Sequence, residues 1–114
     1  MSEYLYIYRG ERPPERDPEE AQQIMQKWLS WMKDLTASGN LKDPGQPLES
    51  EGKVVKGKGR ALTDGPFAEA KDLVGGYTLI EADSLATAAK LAAGCPILEF
   101  DGSVEVRPIM KMDM

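Results

Sequence analysis

The chain contains no histidine. That removes the side chain most often used as a general base near neutral pH, and the commonest metal ligand. A single cysteine, Cys95, leaves no internal disulfide, which fits a reducing compartment. No apolar run approaches the ~20 residues that a membrane-spanning helix needs. The opening MSEYLYIYRG has no basic segment leading into a long apolar stretch, so it does not read as a signal peptide. Positive charge is also scarce: 14 Lys and Arg against 19 Asp and Glu give a net charge of −5. An acidic surface disfavours nucleic acid and anionic membranes as partners, because neither releases counterions to it. No glycine run is followed by Gly-Lys-Ser/Thr, which excludes a phosphate loop. These absences lead us to expect a cytoplasmic protein with no metal, no cofactor, and no nucleic-acid or membrane partner.

What is present reads as one globular domain over residues 1–114, with 41% apolar residues. EYLYIYR, Glu3 to Arg9, alternates strictly and is rich in aromatic and β-branched residues, which predicts a strand. The polar GERPPERDPEE ends in a helix start: Asp17 can cap, Pro18 suits the first helical position, and Glu20 has capping-box spacing. Ala21, Ile24, Met25, Trp28, Met32 and Leu35 then recur at helical spacing up to about Ser38, with Gly39 able to end the helix. On this pattern Met25, Trp28 and Met32 belong to the core, and Trp31 falls at an edge or an oligomer contact. NLKDPGQPLESEG reads as a loop. KVVKGKGRALT reads as a hairpin turning at Gly57-Lys58-Gly59. GGYTLIEA is a strand. DSLATAAKLAAG is a short helix capped by Asp83 or Ser84 and stopped by Gly94 and Pro96. SVEVRPIM is the last strand.

The order is β-α-β-β-α-β, with the basic hairpin's second arm counted as the second strand and its first as an extra arm. That is an α+β, ferredoxin-like split βαβ sandwich. Two helices cover only one face of such a sheet. We assign Tyr4, Tyr6 and Tyr8 to the uncovered face, joined by Glu105 and Arg107 because Val104 and Val106 suit the helix side. Aromatic area beside a charge pair fits a face that is part dimer contact and part polar cavity. The alternative is that Glu105 and Arg107 pair with each other or across a subunit contact while the tyrosines pack.

DGPFAEAKD…GGY, Asp64 to Tyr77, resembles the signature of the YCII-related family in its DGPF (DGPFAETKE-type) branch. Ala70 and Asp72 stand where that nickname has Thr and Glu. The opening strand, the tryptophan-bearing helix and GCPILEFDGSVEVRPI extend the resemblance over nearly the whole chain. It implies a dimeric α/β barrel, in which two sheets face each other in a homodimer. Some relatives have a His-Asp pair proposed as catalytic, and one is a chloromuconolactone dehalogenase. With no histidine here, that pair does not carry over. Members of the DGPF branch often occur beside or fused to extracytoplasmic-function sigma factors, which implies a regulatory protein partner.

Several individual residues carry alternative readings. Asp64 either caps the turn that follows it or acts as a general base at a cavity. Gly65, Pro66 and Phe67 start and anchor that turn, and Gly75 and Gly76 let the chain re-enter the sheet or bulge. Glu69 and Lys71 are a solvated pair or line a cavity mouth. Arg107 can clamp a carboxylate or phosphate, with Glu105 neutralising it when empty and Tyr6 or Tyr8 as donors. Lys53, Lys56, Lys58 and Arg60 are a solvated hairpin, an anion site or a surface for an acidic protein. Cys95 reads as a packed thiol, since no histidine activates it. Three functions follow: a protein binding a small anionic organic molecule in the barrel cavity, with or without turning it over; a non-catalytic regulatory module linked to sigma-factor signalling; or a structural dimer.

Overall fold

The structure, a computed structural model, describes residues 1–10, 17–65 and 72–112. Its elements are β1 (Ser2–Arg9), α1 (Pro18–Ala37), β2 (Leu41–Asp43), β3 (Gly52–Lys56), β4 (Ala61–Gly65), β5 (Val74–Ala82), α2 (Leu85–Ala92), a 3-10 turn (Pro96–Phe100) and β6 (Ser103–Pro108). One antiparallel sheet has the order β2-β5-β1-β6, and β3 and β4 form a separate two-stranded hairpin. The fold is α+β with ferredoxin-like strand order, and the four-stranded sheet is open rather than closed into a barrel.

The second strand of the sheet is β2, not an arm of the basic hairpin. NLKDPGQPLESEG is thus more than a loop. Leu41 and Asp43 pair with Ile80 and Leu79 across a register shift, and Pro47 makes an isolated bridge to Gly76. A short, bulged strand followed by prolines suits an edge, where Pro removes no ladder bond. The 45–48 segment then lies so close to β5 that two glycines are needed. Gly45 has φ +72, and a Cβ there would meet the Tyr77 carbonyl oxygen at 1.9 Å. A Cβ on Gly76 would meet the Gln46 carbonyl at 2.9 Å.

Helix boundaries follow local chemistry. The Asp17 side chain accepts from the Glu20 N–H at 2.8 Å, and Pro18 follows at the first helical position. Gly39 has φ +79 just past the end of α1. Ser84, rather than Asp83, caps α2 by accepting from the Thr87 N–H at 3.1 Å.

Tyr4, Tyr6 and Tyr8 do not lie on the uncovered face. They are buried beneath the helices, together with Ile80, Ala82, Trp31 and Leu35. The reason is register. Val106 stands directly opposite Tyr6, and Val104 opposite Tyr8, so these residues must share a face. Assigning the valines to the helices therefore brings the tyrosines with them. The Tyr6 and Tyr8 rings also fit there chemically. Tyr6 stacks on Trp31 at 5.9 Å between centroids, and Tyr8 meets Trp28 edge-on at 5.1 Å. Tyr6 Oη donates to the Ala88 carbonyl at 2.5 Å. That reach depends on α2 packing closely, which its buried Ala88 and Ala92 permit. Trp31 accordingly belongs to the core and Met25, at 59% exposure, does not. The core stripe of α1 is Trp28, Trp31, Met32 and Leu35.

The open face carries Leu5, Ile7, Leu79 and Tyr77 in two cross-strand rows, continued by Arg107 and Glu105 on β6. Charged groups flank this apolar centre. Lys42 pairs with Glu3 and, at 3.7 Å, with Glu81. Arg9 and Arg107 pair with Glu105 at 3.0 and 3.2 Å.

Candidate functional site

The residues singled out from sequence fall in three separate places. Asp64 lies on β4, in the hairpin, with its side chain 89% exposed and ion-paired to Lys53 directly across the ladder. Pro66, Phe67, Glu69 and Lys71 lie outside the described residues, so the turn that Asp64 precedes does too. Arg107 and Glu105 lie on the open face. Hydrogen bonds from Arg107 and then Arg9 hold the Glu105 carboxyl below the usual carboxylate range. Tyr6 and Tyr8 lie on the covered face. Burial pushes both phenols well above their ordinary range, so they remain protonated.

Cys95 is buried at 3% exposure, and burial pushes its thiol up to about 12. It is a packed, protonated thiol at neutral pH. Among the described residues, no cluster of three or more Cys, Asp or Glu is placed to hold a metal ion.

Of these candidates, Tyr8 and Gly75 do meet at a cleft. The antiparallel pairing of β1 with β5 slips at Tyr8/Arg9, where Tyr8 faces Gly76 and Arg9 faces Val74. Gly75 is the extra residue of that bulge. The bulge opens the end of the sheet next to the first half of α1 and the 44–50 segment. Two adjoining cavities of about 250 and 400 Å3 occupy the gap. They share Tyr8, Ile24, Trp28, Pro47, Gly75 and Ile97 as walls. A small organic ligand fits a space of this size and character.

Polar residues border the cleft on several sides: Tyr8, Thr78 and Arg9 are committed to partners, whereas the Gln46 and Glu49 side chains have no hydrogen bond or ion pair among the described residues. Tyr8 Oη donates to Thr78 Oγ1 at 2.6 Å, and Thr78 Oγ1 donates to the Pro44 carbonyl at 2.9 Å. This chain of bonds fixes the Tyr8 ring while leaving its oxygen able to accept. Arg9 borders the smaller cavity, and its guanidinium is held by Glu105 at 3.0 Å and by the Asp72 carbonyl at 2.9 Å. Trp28 borders both cavities, and its indole N–H has no hydrogen bond among the described residues.

The sequence pattern puts Trp28 in the core stripe and gives Arg9, Pro47 and Ile97 no role. These residues are scattered along the chain and meet only through strand pairing. The one local signal is Gly75-Gly76, which marks a bulge but not what it opens onto.

Among curated proteins, none matches the chain. A solved structure similar to it is 5-chloro-2-hydroxyhydroquinone dehydrochlorinase (TftG) from Burkholderia phenoliruptrix, in complex with 2,5-dihydroxybenzoquinone. That pair shares 17% sequence identity over 91% of this chain and 90% of the other, with a TM-score of 0.43. The YCII-related domain matches residues 4–113, nearly the whole of the described fold, and the chain belongs to the YCII-related family.

Proposed function

We propose that this protein binds a small, flat, largely apolar organic molecule in the cleft between Tyr8, Trp28, Pro47 and Gly75. The observation that carries this reading is the cleft itself. It is preformed, walled by an aromatic pair set at 85°, and offers one uncommitted indole N–H among the described residues. An acidic group on the ligand meets Arg9, which borders the smaller cavity, rather than Arg107, which borders neither cavity. The bound charge then competes with Glu105 for Arg9.

The reading extends to a homodimer of the DGPF branch, with the open sheet faces of two copies packed together into a barrel. The apolar centre of Leu5, Ile7 and Leu79 supports it, and so does the arrangement of charge. Lys42 with Glu3 and Glu81 leaves a negative surplus at one end of the face, and Glu105 with Arg9 and Arg107 a positive one at the other. A two-fold operation exchanging the ends sets each cluster over its opposite.

The test is a titration with hydroxylated benzoates, phenols and quinones, read by tryptophan fluorescence and thermal shift. Quenching is expected in the wild type and lost in Trp28→Phe, which keeps Trp31 as an internal control. Gly75→Leu, where a Cβ meets nothing within 4 Å, should fill the cleft and abolish binding without unfolding the chain. Stabilisation that survives in both variants places the ligand elsewhere and ends this reading.

A further inference from the structure

We propose that the β3–β4 hairpin is an arm that clasps the body of a second copy of this chain. It depends on the homodimer reading only in requiring that second copy. The hairpin pairs with itself and joins neither edge of the four-stranded sheet. The chain as a whole is extended: its radius of gyration is 15.9 Å, against about 13 Å for a compact domain of this length. The molecule is accordingly flat, 48 × 46 × 19 Å.

An isolated two-stranded hairpin is marginal in water, and three strands or a packed surface are needed to hold one. This hairpin nevertheless presents an apolar pair to solvent. Val55 and Leu62 stand directly opposite each other and are 63% and 66% exposed. Cross-strand apolar pairs stabilise a ladder when something covers them. Nothing in the chain's own described body does.

Charge selects the occupant. Lys53, Lys56, Lys58 and Arg60 against Asp64 give the hairpin a surplus of three positive charges, inside a chain of net −5. The remainder of the chain is therefore more acidic than the whole. Lys53 is taken by Asp64, whereas Lys56, Lys58 and Arg60, around the tip, have no acidic partner among the described residues. A basic arm with an apolar pair on one face matches the acidic body of another copy, and two such arms exchange reciprocally about a two-fold axis. The arm joins the body just after Leu48, Glu49 and Ser50, which wall the smaller cavity, so docking it also steadies the mouth of the cleft.

The experiment uses the full chain, with unlabelled and heavy-nitrogen-labelled protein mixed, treated with a zero-length carbodiimide cross-linker and mapped by mass spectrometry. Mixed-isotope links from Lys56 or Lys58 to body carboxylates are expected. In parallel, the V55D/L62D double variant should raise the dimer dissociation constant by roughly tenfold or more, while the melting temperature of its monomer stays that of the wild-type monomer. A dimer that shows no mixed-isotope hairpin links, or that V55D/L62D leaves unchanged, overturns the clasp and leaves the sheet-face dimer standing. Loss of the dimer in Leu79→Arg, with the V55D/L62D dimer intact, likewise overturns the clasp alone. A chain that is monomeric at every concentration overturns both readings. Capture of nucleic acid or of an unrelated acidic protein by the hairpin, in a dimer that does not use it, also overturns the clasp.

Discussion

Tyr6 faces Val106 across the antiparallel β1–β6 ladder, and its hydroxyl reaches past the sheet to the Ala88 carbonyl of α2. This one ring therefore ties a central strand to both the neighbouring strand and a helix. Tyr6→Phe keeps the stack on Trp31 and removes only the donor. It leaves a buried carbonyl without that partner, so a loss of about 1–2 kcal/mol is expected. Urea unfolding should show a lower midpoint with an unchanged m-value. A variant as stable as the wild type would mean that the bond adds nothing net.

Helix α1 separates core from surface at two positions. Trp31→Ala removes a buried ring stacked on Tyr6 and should cost about 3–5 kcal/mol. Met25→Ala truncates an exposed side chain and should change stability by less than about 0.5 kcal/mol. Comparable losses in the two variants, measured by thermal or urea unfolding, would contradict the placement of both.

Cys95 gives an alkaline signature. Its thiol is raised to about 12 in the folded chain, mainly by burial. The folded state therefore prefers the protonated form. The stabilisation is complete below the unfolded thiol value of about 8.5, and is lost progressively as pH rises from there towards the folded value. Wild type should lose stability between about pH 8.5 and 12 relative to Cys95→Ala, with the two curves parallel below that window. Curves parallel across the whole range would refute a buried thiol. In the native protein, a thiol reagent should label Cys95 only at the rate of unfolding.

Glu105 has the opposite sign. Arg107 and Arg9 lower its pKa, so its contribution is present above the ordinary glutamate value of about 4.3 and fades as pH falls through the lower folded value. The stability difference between wild type and Glu105→Gln should be flat near neutrality and shrink on acidification below about pH 4. High salt should reduce it, because both arginines are partly exposed. If the freed Arg9 binds an acidic ligand, Glu105→Gln should also tighten carboxylate binding in the cleft. An unchanged affinity would exclude Arg9 from the site.

Asp64 is placed for a different outcome from a buried base. Its carboxylate is exposed and meets Lys53 across the hairpin. Asp64→Asn should shift the melting temperature by no more than about 2 °C and leave ligand quenching of Trp28 intact. Loss of binding in that variant would bring the hairpin to the cleft and require Asp64 there.

Much of the fold is legible in the sequence because its signals are local. Asp17 and Pro18 announce α1 through groups within one helical turn, and Gly39 ends it in the same way. Strict alternation from Glu3 to Arg9 fixes two sets of side chains on opposite faces. It carries no sign, however. Periodicity cannot tell which set the helices cover, and the sheet resolves that through Val104 and Val106 on a strand about a hundred residues away. The helical pattern misplaces Trp31 for a related reason. A core stripe on a 20-residue helix is broad, and the Tyr6 and Tyr8 rings across the interface decide where its centre lies.

The amino-acid sequence alone determined the class of the fold, the helix ends, the hairpin, the packed state of Cys95 and, through a resemblance over nearly the whole chain, the YCII-related family. Those properties rest on nearest-neighbour chemistry: caps, turns, alternation and the missing histidine. The tertiary structure alone decided that β2 forms the edge strand, that the tyrosines are core, and that Tyr8, Trp28, Pro47, Gly75 and Ile97 enclose a cleft. Strand register and the bulge at Gly75 bring those residues together, and both are set by contacts between segments too far apart in the chain for any local pattern to record.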